Sequence, residues 1–174
     1  MNGRLKLAVA VAVVGVMAVG TVVAVAGGGK QFRASLTGYE ETPLALSTPG
    51  EGRFKLHIDR SDREISYRLS YADLEAAVTQ AHIHFGARAQ SGGVSVFLCS
   101  NLGPPAPAGT QACPPAPATI TGTIVPADVI GPADQGIDAG EFDELVDAIR
   151  AGATYANVHT EKYPAGEIRA QIEH

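Results

Sequence analysis

An all-β fold is predicted from three observations: short runs alternate apolar with polar residues, Gly, Pro and Asp punctuate them, and one segment alone repeats with a helical period. The expected architecture is an antiparallel two-sheet β-sandwich of about seven or eight short strands with one short helix. No internal repeat or coiled-coil heptad is visible, and the helix is too isolated for a parallel βαβ fold.

In chain order, Phe32-Arg33-Ala34-Ser35-Leu36 alternates and stops at Thr37-Gly38, which predicts a first strand. Residues 40–52 carry Pro43, Pro49 and two glycines and read as a loop. Residues 53–58 point Phe54, Leu56 and Ile58 inward and His57 outward, and residues 64–71 repeat the pattern through Ile65, Tyr67, Leu69 and Tyr71. Asp59-Arg60-Ser61-Asp62 between them makes the turn of an antiparallel hairpin. Further strands are expected at 80–85, 94–98 and 118–125. Asp138 and Glu141 have capping-box spacing ahead of Phe142, Leu145, Val146 and Ile149, which share one helical face, and Gly152 ends the run. Strands at 155–159 and 167–172, parted by Tyr163-Pro164-Ala165-Gly166, close the chain.

At the other end, Arg4 and Lys6 precede an apolar or small run from Leu7 to Ala26 that finishes on Ala24-Val25-Ala26 before three glycines. Residues 1–26 therefore read as a secretory signal peptide. The run also approaches the ~20 residues that span a bilayer, so an N-terminal membrane anchor is the alternative. Either way the domain, residues 32–174 after a linker at 27–31, is expected outside the cytoplasm, secreted or in the cell envelope. Any membrane association would come only through that uncleaved segment. Without Arg4 and Lys6, the 13 basic residues fall to 11 against 18 acids, a formal charge of −7, which argues against nucleic acid and anionic lipid as partners.

Cys99 and Cys113 flank a segment containing Pro104, Pro105 and Pro107, and in an oxidising compartment they are expected to form a disulfide. Two unpaired thiols are the alternative.

His82 and His84 lie two apart on one strand and therefore share a face, opposite Ala81, Ile83 and Phe85. That second set is the more apolar and is expected to face the core, which leaves the histidines toward solvent, a groove or a covering loop. His159 shares its own strand's face with Tyr155 and Asn157. If the two strands are neighbours, His82, His84 and His159 converge, and an imidazole triad suits copper or zinc. A structural role is the alternative, in which the rings donate hydrogen bonds across the strand pair and stack on Tyr155 or Phe85. Glu167 and Arg169 share a face, and paired with each other or with Asn157 they are expected to form a polar network that fixes the closing strand's register. No serine has a nucleophile-elbow setting, and Gly27-Gly28-Gly29 follows no strand of the domain, so neither nucleophilic catalysis nor phosphate binding is indicated.

Three phrases together, Ala81-His82-Ile83-His84, Gly93-Val94-Ser95-Val96-Phe97-Leu98 and Tyr155 to Thr160 followed by Pro164 and Gly166-Glu167-Ile168-Arg169, resemble the CHRD domain. That module is repeated in the vertebrate extracellular BMP antagonist chordin and occurs singly in secreted microbial proteins. The resemblance runs from Phe32 to Gln171, with Ala156 and Ala170 standing where the family has a larger β-branched residue and Gly. It implies an extracellular all-β binding or structural module without catalytic activity, its partner an unidentified extracellular protein or surface component. The chain has no cysteine-rich repeats of the kind that accompany growth-factor binding, so BMP binding is not carried over. The alternatives are a copper or zinc metalloprotein with superoxide dismutase-like redox activity, and an adhesion or matrix protein.

Overall fold

The computed structural model describes residues 30–174, so the predicted signal or anchor segment lies outside the described residues. Eight antiparallel strands and one helix form: β1 (Lys30–Thr37), β2 (Glu51–Ile58), β3 (Ile65–Ala72), β4 (Val78–Phe85), β5 (Gly93–Ser100), β6 (Ala118–Ile124), α1 (Phe142–Arg150), β7 (Thr154–Thr160) and β8 (Ile168–Gln171). Lys30 and Gln31, expected in the linker, are the first residues of β1. Among the described residues no helix is long and apolar enough to cross a membrane.

The expected division into two sheets is corrected. All eight strands belong to one sheet in the order β5-β4-β7-β8-β1-β2-β3-β6. The join that makes it continuous is narrow: Thr37 pairs with Arg169, and an isolated bridge links Arg33 to Glu173. The sheet also nearly closes on itself. The Tyr67 hydroxyl on β3 donates to the Leu98 carbonyl on β5 at 2.9 Å, and the Gln111 amide donates to the carbonyls of Leu98 (3.1 Å) and Thr121 (3.3 Å), linking β5 to β6. Gly122 leaves room for this closure, because a Cβ there would lie 2.6 Å from the Tyr67 ring. The 101–117 loop that carries Gln111 is held by the Cys99–Cys113 disulfide, whose Cα atoms are 5.0 Å apart.

The hairpin of β2 and β3 has the register that alternation predicts, with Phe54 opposite Leu69 and Leu56 opposite Tyr67. Asp59 makes its turn by accepting the Arg63 and Glu64 N–H groups at 2.8 and 3.1 Å. The helix starts later than the Asp138 spacing predicts: Glu141 is the N-cap, and its carboxylate accepts the Asp138 N–H at 2.7 Å, so only the backward half of the box forms. Phe142, Leu145, Val146 and Ile149 are buried in the same core as the inward strand residues. Each such large apolar side chain contributes ~1.5–3 kcal/mol by leaving water. Arg150 at the helix end grips both carboxylate oxygens of Asp62 in the hairpin turn, at 2.7 and 2.8 Å.

Burial divides the sheet into two regions. Strands β1, β2, β3 and β6 alternate buried with exposed residues, whereas β7 and β8 are buried at every position and β4 is buried on both faces from Ala81 to His84. Loops cover the outer face of this second region, and the histidines lie there.

Candidate metal centre

Strand β7 lies beside β4, with His82 opposite Asn157, His84 opposite Tyr155 and Gln80 opposite His159. In a pleated pair these residues share the outer face, so His159 is the diagonal neighbour of His82. The three rings meet: His82 Nδ1 is 3.1 Å from His159 Nε2, and one nitrogen from each of the three lies within 4.8 Å of the others. The solvent exposure left open by the sequence is absent, since His82, His84 and His159 are only 2%, 7% and 6% exposed.

Backbone carbonyls set the tautomers. His84 Nδ1 lies 3.0 Å from the Gly92 carbonyl and His159 Nδ1 lies 3.0 Å from that of Pro164. A carbonyl only accepts, so both Nδ1 atoms carry the proton and both Nε2 atoms are bare lone pairs. His159 Nε2 then accepts from His82 Nδ1–H, which leaves His82 Nε2 bare as well. His82 Nε2 and His84 Nε2 are buried without a partner. A dry unpaired nitrogen costs ~1–3 kcal/mol, and the cluster holds two of them. Burial above all, with the neighbouring rings adding to it, pulls the affinity of His82 for a second proton far below the ordinary imidazole value. His84 is pushed down to about 4 and His159 is also lowered, again chiefly by burial. The cluster is therefore neutral near pH 7, the state that binds metal.

Aromatic groups hold the rings in place. Tyr155 stacks on His84 with centroids 4.7 Å apart and planes 3° from parallel, and the Arg169 guanidinium lies 3.4 Å from the centre of the same tyrosine ring. Phe97 on β5 meets His82 edge-on at 4.3 Å, so of the two stacking partners the structural alternative names, Tyr155 is the one in use. Arg169 also donates to the carbonyls of Gln90 (2.8 Å) and Ala87 (3.4 Å), which anchors the 86–92 loop beside His84.

Asn157 and Arg169 are register partners across β7 and β8, but the side chains of Asn157, Glu167 and Arg169 each bond elsewhere. Asn157 Nδ2 donates to the Glu41 carboxyl at 2.6 Å and to the Ile168 carbonyl at 3.1 Å. Burial pushes the Glu41 carboxyl up to about 7, against the opposing pull of Asn157 and Arg169. Glu167, fully buried, accepts from Thr48 Oγ1 (2.7 Å) and the Glu75 N–H (2.9 Å) on one oxygen and from Thr160 Oγ1 (2.7 Å) on the other. Glu41 escaped the sequence reading because it sits in a loop, where no periodicity marks a residue as buried.

Residues 32–172 match the CHRD domain family. No curated protein and no solved structure gives a significant match. The match spans nearly all the described residues and reaches every strand of the sheet, so this chain belongs to the CHRD domain family.

Proposed function

We propose that this chain is an extracytoplasmic binding module whose three-histidine cluster takes up one copper or zinc ion. The observation that carries the reading is the pair of carbonyl-fixed tautomers, which turn bare, buried imidazole nitrogens toward a third histidine. Metal-bound histidines commonly donate their other N–H to a backbone carbonyl, and that outer contact is already in place. Bonds of ~2.05 Å in a tetrahedral shell set nitrogen separations of ~3.3 Å, close to the 3.1 Å between His82 Nδ1 and His159 Nε2, so an ion held there takes His82 through Nδ1 after the ring proton moves to Nε2. An ion on these two nitrogens replaces the hydrogen bond between the rings and gives His84 Nε2 a partner.

Family membership and the disulfide both support an extracellular binding or structural role. The covered, nearly inaccessible cluster supports retention of an ion over turnover of a substrate. Metal analysis of the purified protein, followed by titration with Zn(II) and Cu(I), tests the reading. One ion per chain is expected, with sub-micromolar affinity that is lost in His82→Ala and in His159→Ala. Binding no tighter than micromolar would leave the histidines a hydrogen-bonding role only. A superoxide-dismutation assay on the copper-loaded chain separates a binding module from a redox enzyme, and activity above that of free copper would favour the enzyme.

A further inference from the structure

The exposed half of the sheet carries a second feature that the histidine site does not use. Arg33, Lys55 and Arg68 are register partners on β1, β2 and β3, so three cations stand side by side in one row across adjacent strands. All three are exposed. Neighbouring strands are ~4.8 Å apart, and like charges directly opposite one another repel. Arg53 stands one row further along β2, between Ser35 and Ser70.

Among the described residues none of these four side chains has an ion-pair or hydrogen-bond partner, whereas Arg88, Arg150 and Lys162 elsewhere all hold carboxylates. Along the strands the neighbouring positions offer hydroxyls and amides, from Gln31, Ser66 and Ser70, and across them Thr121 ends the row on one side and Glu173, the bridge partner of Arg33, on the other. Glu51, at the start of β2, is the first carboxylate along that strand's outer face, and Glu173 is engaged by Arg88. In a chain with a formal charge of −5, three cations in one row, with a single acid at its end that Arg88 already holds, are a local reversal of the overall field.

The surface is shaped as well as charged. A groove of about 460 Å³ runs over Arg33, Lys55, Arg68, His57 and His174, and a second of about 570 Å³ continues past Arg53, Ser70 and Thr119. Among the described residues the exposed large apolar side chains, Tyr39, Leu44, Leu102 and Val125, all lie outside these rows, so this face offers no large apolar anchor for a bilayer.

We propose that the outer face of β1, β2, β3 and β6 binds a linear acidic polysaccharide whose uronate carboxylates lie over the row Arg33, Lys55, Arg68. The guanidinium fork matches a carboxylate, and the serine and threonine hydroxyls match sugar hydroxyls. A narrow polymer also fits where a flat anionic membrane or a duplex would meet the acidic remainder of the chain.

The test is binding of the purified full chain to alginate, neutral dextran, phosphatidylglycerol vesicles and duplex DNA. The expected result is selective binding to alginate, weakening by roughly an order of magnitude or more as salt is raised about fourfold. The triple variant Arg33→Ser, Lys55→Thr, Arg68→Ser should lose affinity by about tenfold or more while keeping or raising its thermal midpoint, because it removes repulsion across the strands. A control that removes equal charge elsewhere, Arg60→Ser, Arg63→Ser, Lys162→Ser, should bind within about twofold of the parent. Equal losses in both variants, stronger binding to vesicles or DNA, or no binding to alginate would each overturn the proposal.

Discussion

Replacing Glu167 with alanine removes one acceptor from three donors in three separate parts of the chain. Thr48 belongs to the loop after β1, Glu75 to the connection between β3 and β4, and Thr160 to the end of β7. Each orphaned donor costs ~1–3 kcal/mol if it stays dry, and the two partly buried ones can recover some of that by admitting water. The Thr160 hydroxyl keeps its bond from the Tyr163 N–H at 3.2 Å but loses its own acceptor in a buried place. The sum is ~3–5 kcal/mol for Glu167→Ala. Glutamine keeps one oxygen, enough for Thr48 and the Glu75 N–H, and sets an amide N–H₂ against Thr160, so Glu167→Gln should cost only ~1–2 kcal/mol. For a domain of this size 1 kcal/mol moves the thermal midpoint by ~3–4 °C, which predicts a fall of ~10–20 °C for the alanine and ~3–8 °C for the glutamine. Calorimetry beside urea unfolding measures both, and Thr160→Val in each background isolates the pairwise coupling. An alanine variant within about 1 kcal/mol of the parent, or a glutamine variant as damaged as the alanine, would refute the clamp.

Three other outcomes are expected. Gly166→Ala should destabilise by ~2–4 kcal/mol, since φ is +132° there and the new Cβ would lie 2.6 Å from Asn157 Oδ1 and 2.8 Å from Glu41; a urea midpoint equal to the parent's would contradict this. Reducing the disulfide, or replacing Cys99 and Cys113 with alanine, should cost ~3 kcal/mol for a 14-residue separation. Hydrogen exchange should then quicken at the Ser100 amide, bonded to Gln111 across the seam, and stay slow in β2; uniform acceleration would mean that the loop does not close the sheet locally. Acid should destabilise the metal-free chain. His84, lowered from 6.5 to about 4, together with His82 and His159, stays neutral in the folded chain while the unfolded chain takes up protons, each adding up to ~1.4 kcal/mol per pH unit of stability as pH rises toward 6.5. Glu41 acts in the opposite sense: raised from 4.5 to about 7, it contributes stability below pH 4.5 that is lost as pH rises through 7. Three groups outweigh one, so urea midpoints should rise between pH 4.5 and 6.5, and a flat or falling series would show that the rings are hydrated.

Much of the strand content was legible because alternation is a local property. Phe54, Leu56 and Ile58 on β2 and Ile65, Tyr67 and Leu69 on β3 announce both the strands and their pairing, since only one register buries all six. The histidines were legible as a face for the same reason, with period two placing His82 and His84 together. Their burial was not. A polar residue alternating with an apolar one reads as solvent-facing, and nothing local tells that a loop such as 86–92 will cover it. Asn157, Glu167 and Arg169 were recognisable as polar positions on a closing strand, yet their partners, Glu41, Thr48 and the carbonyls of Ala87 and Gln90, lie far away along the chain.

The sequence by itself determined which residues form strands, which face of each is apolar, that Cys99 can reach Cys113 around a proline-rich loop, and that the chain has the CHRD pattern. The tertiary structure decided that eight strands make one nearly closed sheet, because two bridges, Thr37 with Arg169 and Arg33 with Glu173, join halves whose alternation would serve two stacked sheets equally well. It also decided the chemistry of the triad. Strand order brings His159 to His82, and the Gly92 and Pro164 carbonyls fix which nitrogens stay bare; both depend on backbone groups that every residue carries and that no side-chain pattern can encode.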